Sequence, residues 1–388
     1  MTGGTTTPPH DTAHDRFSAA HWRARQALPG DNAALVALAA ACPMEGDIGL
    51  CVDRSPDFFA LNRLEGETWR VDVVDAADGG LAGCIALARR RVYLLGVERE
   101  VMYIGDLKVH PQHRGSGAAE ALIHHALQVC REMGGDDVPT LVTVLSGNAA
   151  IERRAGGPRG SPPWTRFARL VAHSVSLVWK RRVPAVAGMR VERARAADLA
   201  AMAELWRSLA PARNFAPAFA PGGFEAWVEQ APGLQCENYW LLRGDDGRIA
   251  AFLGLWDQET FKHTLVVRYS RPLAAFRLSY NLLAPLVGAA RLPGRGSPMR
   301  FLTAVHVCVP PDRPDMLRAL VLSAYDALRG RGYAFFSVGL DAKDPLSAAF
   351  DGLLGQTTQI DAYVACPAGR YGGPPLDGAP LHFEIALV

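Results

Sequence analysis

The sequence predicts a mixed α/β protein made of two domains that share one architecture. Three observations lead there. The chain has 388 residues, the length of two ordinary domains. Segments with the apolar alternation of strands are interleaved with alanine-rich segments of helical spacing. One arrangement also occurs twice: "RARQALPGDNAALVAL" (23–38) lies against "RVERARAADLAAMAEL" (190–205) without a gap. Arg23/Arg190, Ala27/Ala194, Asp31/Asp198 and Leu38/Leu205 coincide, and each copy reads as short strand, acidic cap and helix. The expected division is a disordered tail over residues 1–20, a first domain over 21–185 and a second over 190–388.

Composition narrows the function classes. Hydrophobic residues make up 49% and charged residues 21%, a globular balance. A formal net charge of +2 gives no reason to expect a nucleic-acid partner, and "WKRR" at 179–182 reads as a solvated strand end. The seven cysteines are scattered and none form a CxxC pair, so neither a disulfide framework nor a metal site is expected. The polar opening lacks a secretory signal, and the charge-free apolar stretch 278–290 is too short to span a bilayer. A cytoplasmic protein is the resulting expectation.

The elements of the first domain follow in order. Asp31 stands where the N-cap of the helix "NAALVALAAAC" should be. The stretch 42–63 then has two readings. Glu45, Asp47 and Asp53 would suit a cationic amine, with Phe58 and Phe59 as an apolar wall; alternatively the phenylalanines plug the core. "TWRVDVVDA" and "GGLAGCIALARRRVYLLG" read as neighbouring strands across the turn "ADGG". "EVMYIGDLKV" is a third strand, ended by Pro111. A helix over 116–133 stops at two glycines, and "PTLVTVLSG" is a further strand.

Between the third strand and its helix stands "HPQHRGSGAAEAL", beginning at His110. A helix N-terminus offers unpaired N–H groups and the positive end of its dipole. Glycines ahead of it let those groups approach a ligand without Cβ interference, and Arg114 adds a permanent charge. The pattern suits a diphosphate. It is not a P-loop, because no Gly-Lys-Ser/Thr follows, and it is not a dinucleotide fingerprint, because Glu120 falls where a third glycine would. An ordinary glycine turn is the alternative.

"LKVHPQHRGSGAAEAL" resembles the cofactor segment of the GNAT acetyltransferase superfamily. That pattern is a strand ending apolar-x-apolar-x-Pro, then Gln/Arg-x-x-Gly-x-Gly/Ala, then a helix. Leu107, Val109, Pro111, Gln112, Gly115 and Gly117 fill it here, and Asn148 in "SGNAAIERRAGG" takes the place of the family's later asparagine. The resemblance implies an α/β mixed-sheet fold in tandem copies and acetyl-CoA, or another acyl-CoA, as co-substrate. It places the cofactor on Leu107, Lys108, Val109, Gln112, Arg114, Gly115, Ser116, Gly117, Ala118 and Asn148. It also implies direct attack by an amine, of a small molecule or a peptide, within a ternary complex. The tyrosine that many members carry after the asparagine is missing from "AAIERRAGG". Tyr103 and Asp106 then become the candidate proton-transfer groups, with Asp106 alternatively a structural partner of Arg114 or Lys108. Glu152 reads as a solvated charge. The missing tyrosine also leaves a second reading, a non-catalytic acetyl-CoA sensor.

The second domain repeats the pattern without its loop. Val307, Val309 and Pro311 echo Leu107, Val109 and Pro111, but Asp312, Asp315 and Leu317 replace Gln112, Gly115 and Gly117. Carboxylates there satisfy the helix dipole themselves and repel phosphate. A degenerate domain that has lost cofactor binding is expected, with Asp344 near Asn148's place. The insert 269–296 fits a cleft lining, a homodimer contact or a peripheral membrane element, and apolar packing is the reading adopted.

Overall fold

The computed structural model describes residues 22–149 and 163–388. The proposed tail and Glu152 lie outside the described residues.

The first half opens with β1 (Ala24–Gln26) and α1 (Asn32–Ala40), followed by β2 (Ile48–Asp53). β3 (Thr68–Asp75), β4 (Leu81–Leu94) and β5 (Val97–Val109) form an antiparallel meander. α2 (Ala118–Gly134) then crosses to β6 (Thr140–Leu145), which runs parallel to β5. Period-2 alternation divides the sheet's side chains between two helices. Val71, Val73 and Ala86 meet Leu35 and Leu38 of α1, while Ile85, Leu87 and Met102 meet Leu122 and Ala126 of α2. Phe58 and Phe59 are buried against α1, so the core reading of that pair is the one the fold adopts.

The second half repeats this order. β8 (Met189–Arg193) precedes α3 (Leu199–Leu209), then come β9 (Ala216–Pro217) and α4 (Gly223–Gln230). β10 (Tyr239–Gly244), β11 (Ile249–Trp256) and β13 (Phe301–Cys308) form the meander, and α6 (Pro314–Leu328) leads to β14 (Phe335–Asp341), parallel to β13. β12 (His263–Tyr269) and α5 (Arg271–Leu283) form the insert. The repeat found in the sequence is a repeat of bonds. The amide of Leu28 donates to the Asp31 carboxylate at 2.7 Å, and the amide of Arg195 donates to Asp198 at 2.9 Å. Both carboxylates point back to the chain before the helix and onto an arginine, Arg25 or Arg243. Asp31 therefore does not cap the α1 amides as expected.

The halves are interlocked. All strands but β2 and β12 join one 13-stranded sheet, and its order mixes the halves. β6 takes as its next neighbour β15 (Gly355–Ala365), from the end of the chain. β7 (Thr165–Ser176), from the first half, lies between β15 and β14. β2 pairs with β12, and β9 pairs with β4. The adopted packing of the insert holds in part: Tyr269, Leu273, Tyr280, Ala284 and Ala289 lie on apolar clusters, whereas Phe276, Leu278, Leu282, Leu283 and Leu286 face outward. Among the described residues no helix is long and apolar enough to cross a membrane.

Candidate functional site

β5 and β6 pair only at Met102–Thr140, Tyr103–Leu141 and Ile104–Val142. Beyond that the strands splay. The cause is a bulge in β5: Gly105 faces Ala86 and Lys108 faces Cys84, so β5 carries an extra residue against β4. Asp106 sits in the bulge with φ of +52°, a conformation that few side chains adopt. The widening gap exposes backbone that no strand covers, which is where an extended ligand can pair.

The splay leads to the glycine loop. Residues Pro111–His113 make a 3-10 turn, and Gly115 and Gly117 follow with φ of +80° and +93°. The Ser116 hydroxyl donates to the carbonyl of His113 at 2.7 Å, and the Trp22 indole N–H donates to the carbonyl of Ser116 at 2.9 Å. These bonds hold the loop while Gln112, Arg114 and Gly115 stay exposed. A Cβ at Gly115 would meet nothing within 4 Å, so the corner is open. Gly117 is the N-cap of α2, and Ala118 begins the helix. Thus Leu107, Lys108 and Val109 on the strand, and Gln112 to Ala118 on the loop, form one continuous track. Asn148 lies beyond β6, its amide donating to the Leu145 carbonyl at 3.2 Å.

Tyr103 and Asp106 lie at the head of the splay. The Tyr103 ring is buried, and its hydroxyl packs over Gly105, where a Cβ would approach to 2.6 Å. The hydroxyl is 3.2 Å from Thr143 Oγ1, on the opposite strand of the split. Burial raises the phenol's pKa; the Arg90 guanidinium, 3.9 Å from the ring centre, opposes that. Burial would raise the Asp106 carboxyl too, but Lys108 and Arg54 outweigh it and hold it well below the usual carboxylate range. Lys108 was an expected partner of Asp106; Arg54 was not, and Arg114 is not one of its ion-pair partners. Lys262, from the second half, completes the group. Burial first, and then repulsion from Arg54 and Lys108 against an opposing pull from Asp106, brings its amine down to about 7.

A cavity of about 300 Å³ lies between the halves, lined from the first by Glu65 and Arg90 and from the second by Phe219, Trp227 and Phe383. Phe383 also packs on Tyr103, with ring centres 5.6 Å apart. At the back of the cavity stands His306, which is buried. It occupies the second half's own bulge, with φ of +50°, in the same register before Pro311 as Asp106 before Pro111. Its Nδ1 is 2.9 Å from the Tyr239 hydroxyl, its backbone N–H donates to Glu384 at 3.0 Å, and its Nε2 has no hydrogen-bond partner among the described residues.

The corresponding splay of the second half is closed. β13 and β14 pair over three residues and then part, but residues 381–387 fill the gap. Glu384 takes the bulge amide, Ile385 packs where a Cβ on Gly339 would come within 2.7 Å, and Leu381 N–H donates to Asp341. The glycine loop is gone as well. α6 starts at Pro314, and Leu317 is buried in the core. Asp344 caps a 3-10 turn and pairs with Arg213.

Residues 43–153 match the acetyltransferase (GNAT) family. The chain carries a GNAT domain. The match spans the splay, the bulge and the glycine loop. Two solved structures show that the GNAT-like fold extends over about nine-tenths of the chain. A GCN5-related N-acetyltransferase from Sphaerobacter thermophilus is 17% identical, with a TM-score of 0.55 over 89% of this chain and 96% of that one. The Saccharomyces cerevisiae N-myristoyltransferase with bound myristoyl-CoA is 13% identical, with a TM-score of 0.61 over 91% of this chain and 84% of that one. At these identities the likeness is one of fold: a mixed α/β sheet in two tandem GNAT-like halves. No curated protein matches the chain significantly in sequence. Family and fold together support acyl transfer from an acyl-CoA. Arg54, Lys262 and His306 escaped the sequence reading. His306 alone left a signal there, since extending the Val307/Val309/Pro311 repeat back by one residue reaches it.

Proposed function

We propose that the protein is a CoA-dependent N-acyltransferase in which only the first half binds the donor. The observation that carries this reading is the contrast between the two splays: one open and continuous with a glycine loop, the other plugged by residues 381–387. The track fits acyl-CoA. Gly115, Ser116, Gly117 and Arg114 would hold the diphosphate, with Gln112 and Ala118 beside it. Leu107, Lys108 and Val109 would pair with the pantetheine arm, and Asn148 would flank its far side.

The acceptor, an amine of a small molecule or peptide, would enter the aromatic cavity between the halves. Direct attack then requires positioning, a base and an acid. Tyr103 keeps its proton at neutral pH and stands at the head of the splay, which suits it to protonate the leaving thiolate. Lys262, beside Arg54, Asp106 and Lys108 with its Nζ donating to the Val388 carbonyl, is the proposed base, its amine lowered by burial to about 7. Asp106 serves as the anion that holds Arg54 and Lys108 around the bulge.

CoA release measured against a panel of amines tests the reading. Turnover is expected, and Tyr103→Phe should slow it roughly 100-fold or more while leaving acetyl-CoA binding intact. Tight acetyl-CoA binding with no turnover on any amine would instead make the protein a sensor.

A further inference from the structure

The insert carries a helix with a bare apolar side. α5 turns Leu273, Arg277, Tyr280 and Asn281 toward the protein, so it is held by two apolar contacts and by polar bonds. The Asn281 amide donates to the carbonyl of Leu292 at 2.9 Å and accepts from the Leu292 amide at 2.8 Å. Arg277 donates to the carbonyl of Pro293 at 3.0 Å. These bonds tie the helix to its own return loop. Its other large apolar side chains point away: Phe276, Leu278, Leu282 and Leu283, with Leu286 in the turn that follows, are 53–81% exposed. A helix docked on a core ordinarily keeps its outward side polar. The outward face is therefore a surface in its own right.

Its surroundings indicate what covers it. Between Glu259 and Asp312 the chain has no Asp or Glu, yet it holds Arg268, Arg271, Arg277, Arg291, Arg295 and Arg300. Arg300 pairs with Glu259, and Arg277 is taken up by the return loop. Arg271, on α5 itself, and Arg291 and Arg295, on its return loop, remain exposed. A second element adds to the same region. Val178 packs on Ala284 and Ala289, which brings "WKRR" alongside the helix. Trp179 is 49% exposed there, with Lys180 and Arg182 exposed beside it. A whole-chain net charge of +2 makes this concentration local.

We propose that this face is a docking surface for an anionic lipid bilayer. Leucines and phenylalanine on one helix face, an exposed tryptophan and a rim of lysine and arginine match the chemistry of an interface that is apolar below and negatively charged above. The helix would lie in the plane of the membrane. A second copy of the chain fits less well: two such faces together would crowd their arginines, with no acidic residue on the insert to pair with them. The inference is independent of the acyltransferase reading.

Co-sedimentation of the full chain with vesicles tests it. The protein should sediment with phosphatidylcholine vesicles that contain phosphatidylglycerol, and roughly tenfold less with phosphatidylcholine alone. Leu282→Glu with Leu286→Glu should weaken binding to the anionic vesicles by roughly tenfold or more without moving Tm, because both side chains are exposed. Lys180→Ser with Arg182→Ser should weaken it from a different element. Failure to sediment with phosphatidylglycerol vesicles would overturn the proposal. So would undiminished binding by both variants. A dimer in light scattering that the leucine variant converts to monomer would also overturn it, because a second copy would then cover the face.

Discussion

His306 is neutral at pH 7, because burial draws its pKa down to about 4, against a weaker opposing pull from Glu384 and with a small push from His382. In an unfolded chain the same imidazole titrates near 6.5. Between those values the unfolded state binds the extra proton, so stability falls as pH drops from about 6.5 toward 4. The full difference amounts to about 3 kcal/mol. Urea unfolding of the wild type and His306→Gln at pH 7.5 and pH 5 should show a smaller acid-induced loss in the variant. At the glycine loop two substitutions separate strain from ligand binding. Gly115→Ala meets open space but keeps a φ of +80°, so it should cost about 1–2 kcal/mol in the same unfolding assay. Gly117→Asp places a carboxylate at the start of α2. Acetyl-CoA at a hundred times its Kd should stabilise the wild type by about 2.7 kcal/mol and this variant not at all, as read by thermal melting.

At the scale of elements, the phenylalanines show how much depends on what a helix faces. Phe58 is fully buried against α1, whereas Phe276 is 53% exposed on α5. Phe58→Ala should cost about 3–5 kcal/mol, and Phe276→Ala less than about 0.5 kcal/mol, both measured by urea unfolding. The sequence did not distinguish these two settings, because aromatic residues at helical spacing look alike whether the face is covered or bare. What was legible was local: the alternation of β3 to β6, the proline that ends β5, the glycines before α2 and the twin turns at Asp31 and Asp198. The bulge at Asp106 was not, because its left-handed residue is an aspartate held by Arg54 and Lys108, and nothing in the order of residues announces those partners. His306 in the matching bulge shows that backbone geometry can repeat where side-chain chemistry does not.

For the whole molecule, the exchange of strands decides how the halves depend on each other. Period-2 patterning identifies β7 and β15 as strands but says nothing about which neighbours they choose. Each of them binds the opposite half. β7 runs along β14 from Asp341–Leu170 to Phe335–Ser176, and β15 runs along β6 from Ile360–Leu145 to Ala365–Thr140. Severed near residue 185, the first half would lose the strand beside β6 and carry β7 with neither of its neighbours. The second half would keep β14 and β15 without the strand that separates them. Each fragment would then expose long unpaired edges, and such edges aggregate. The buried core cluster around Tyr103 would also open, since Phe383 and Leu381 come from the far end of the chain. Residues 1–185 and 186–388 produced separately should therefore be insoluble or lack a cooperative melt, while co-production should return a complex with the melting behaviour of the intact chain. A first half that melts cooperatively on its own and still binds acetyl-CoA would mean the exchange is dispensable. The more interlocked the sheet, the more firmly it sets the angle between the open splay and the cavity that would receive the acceptor.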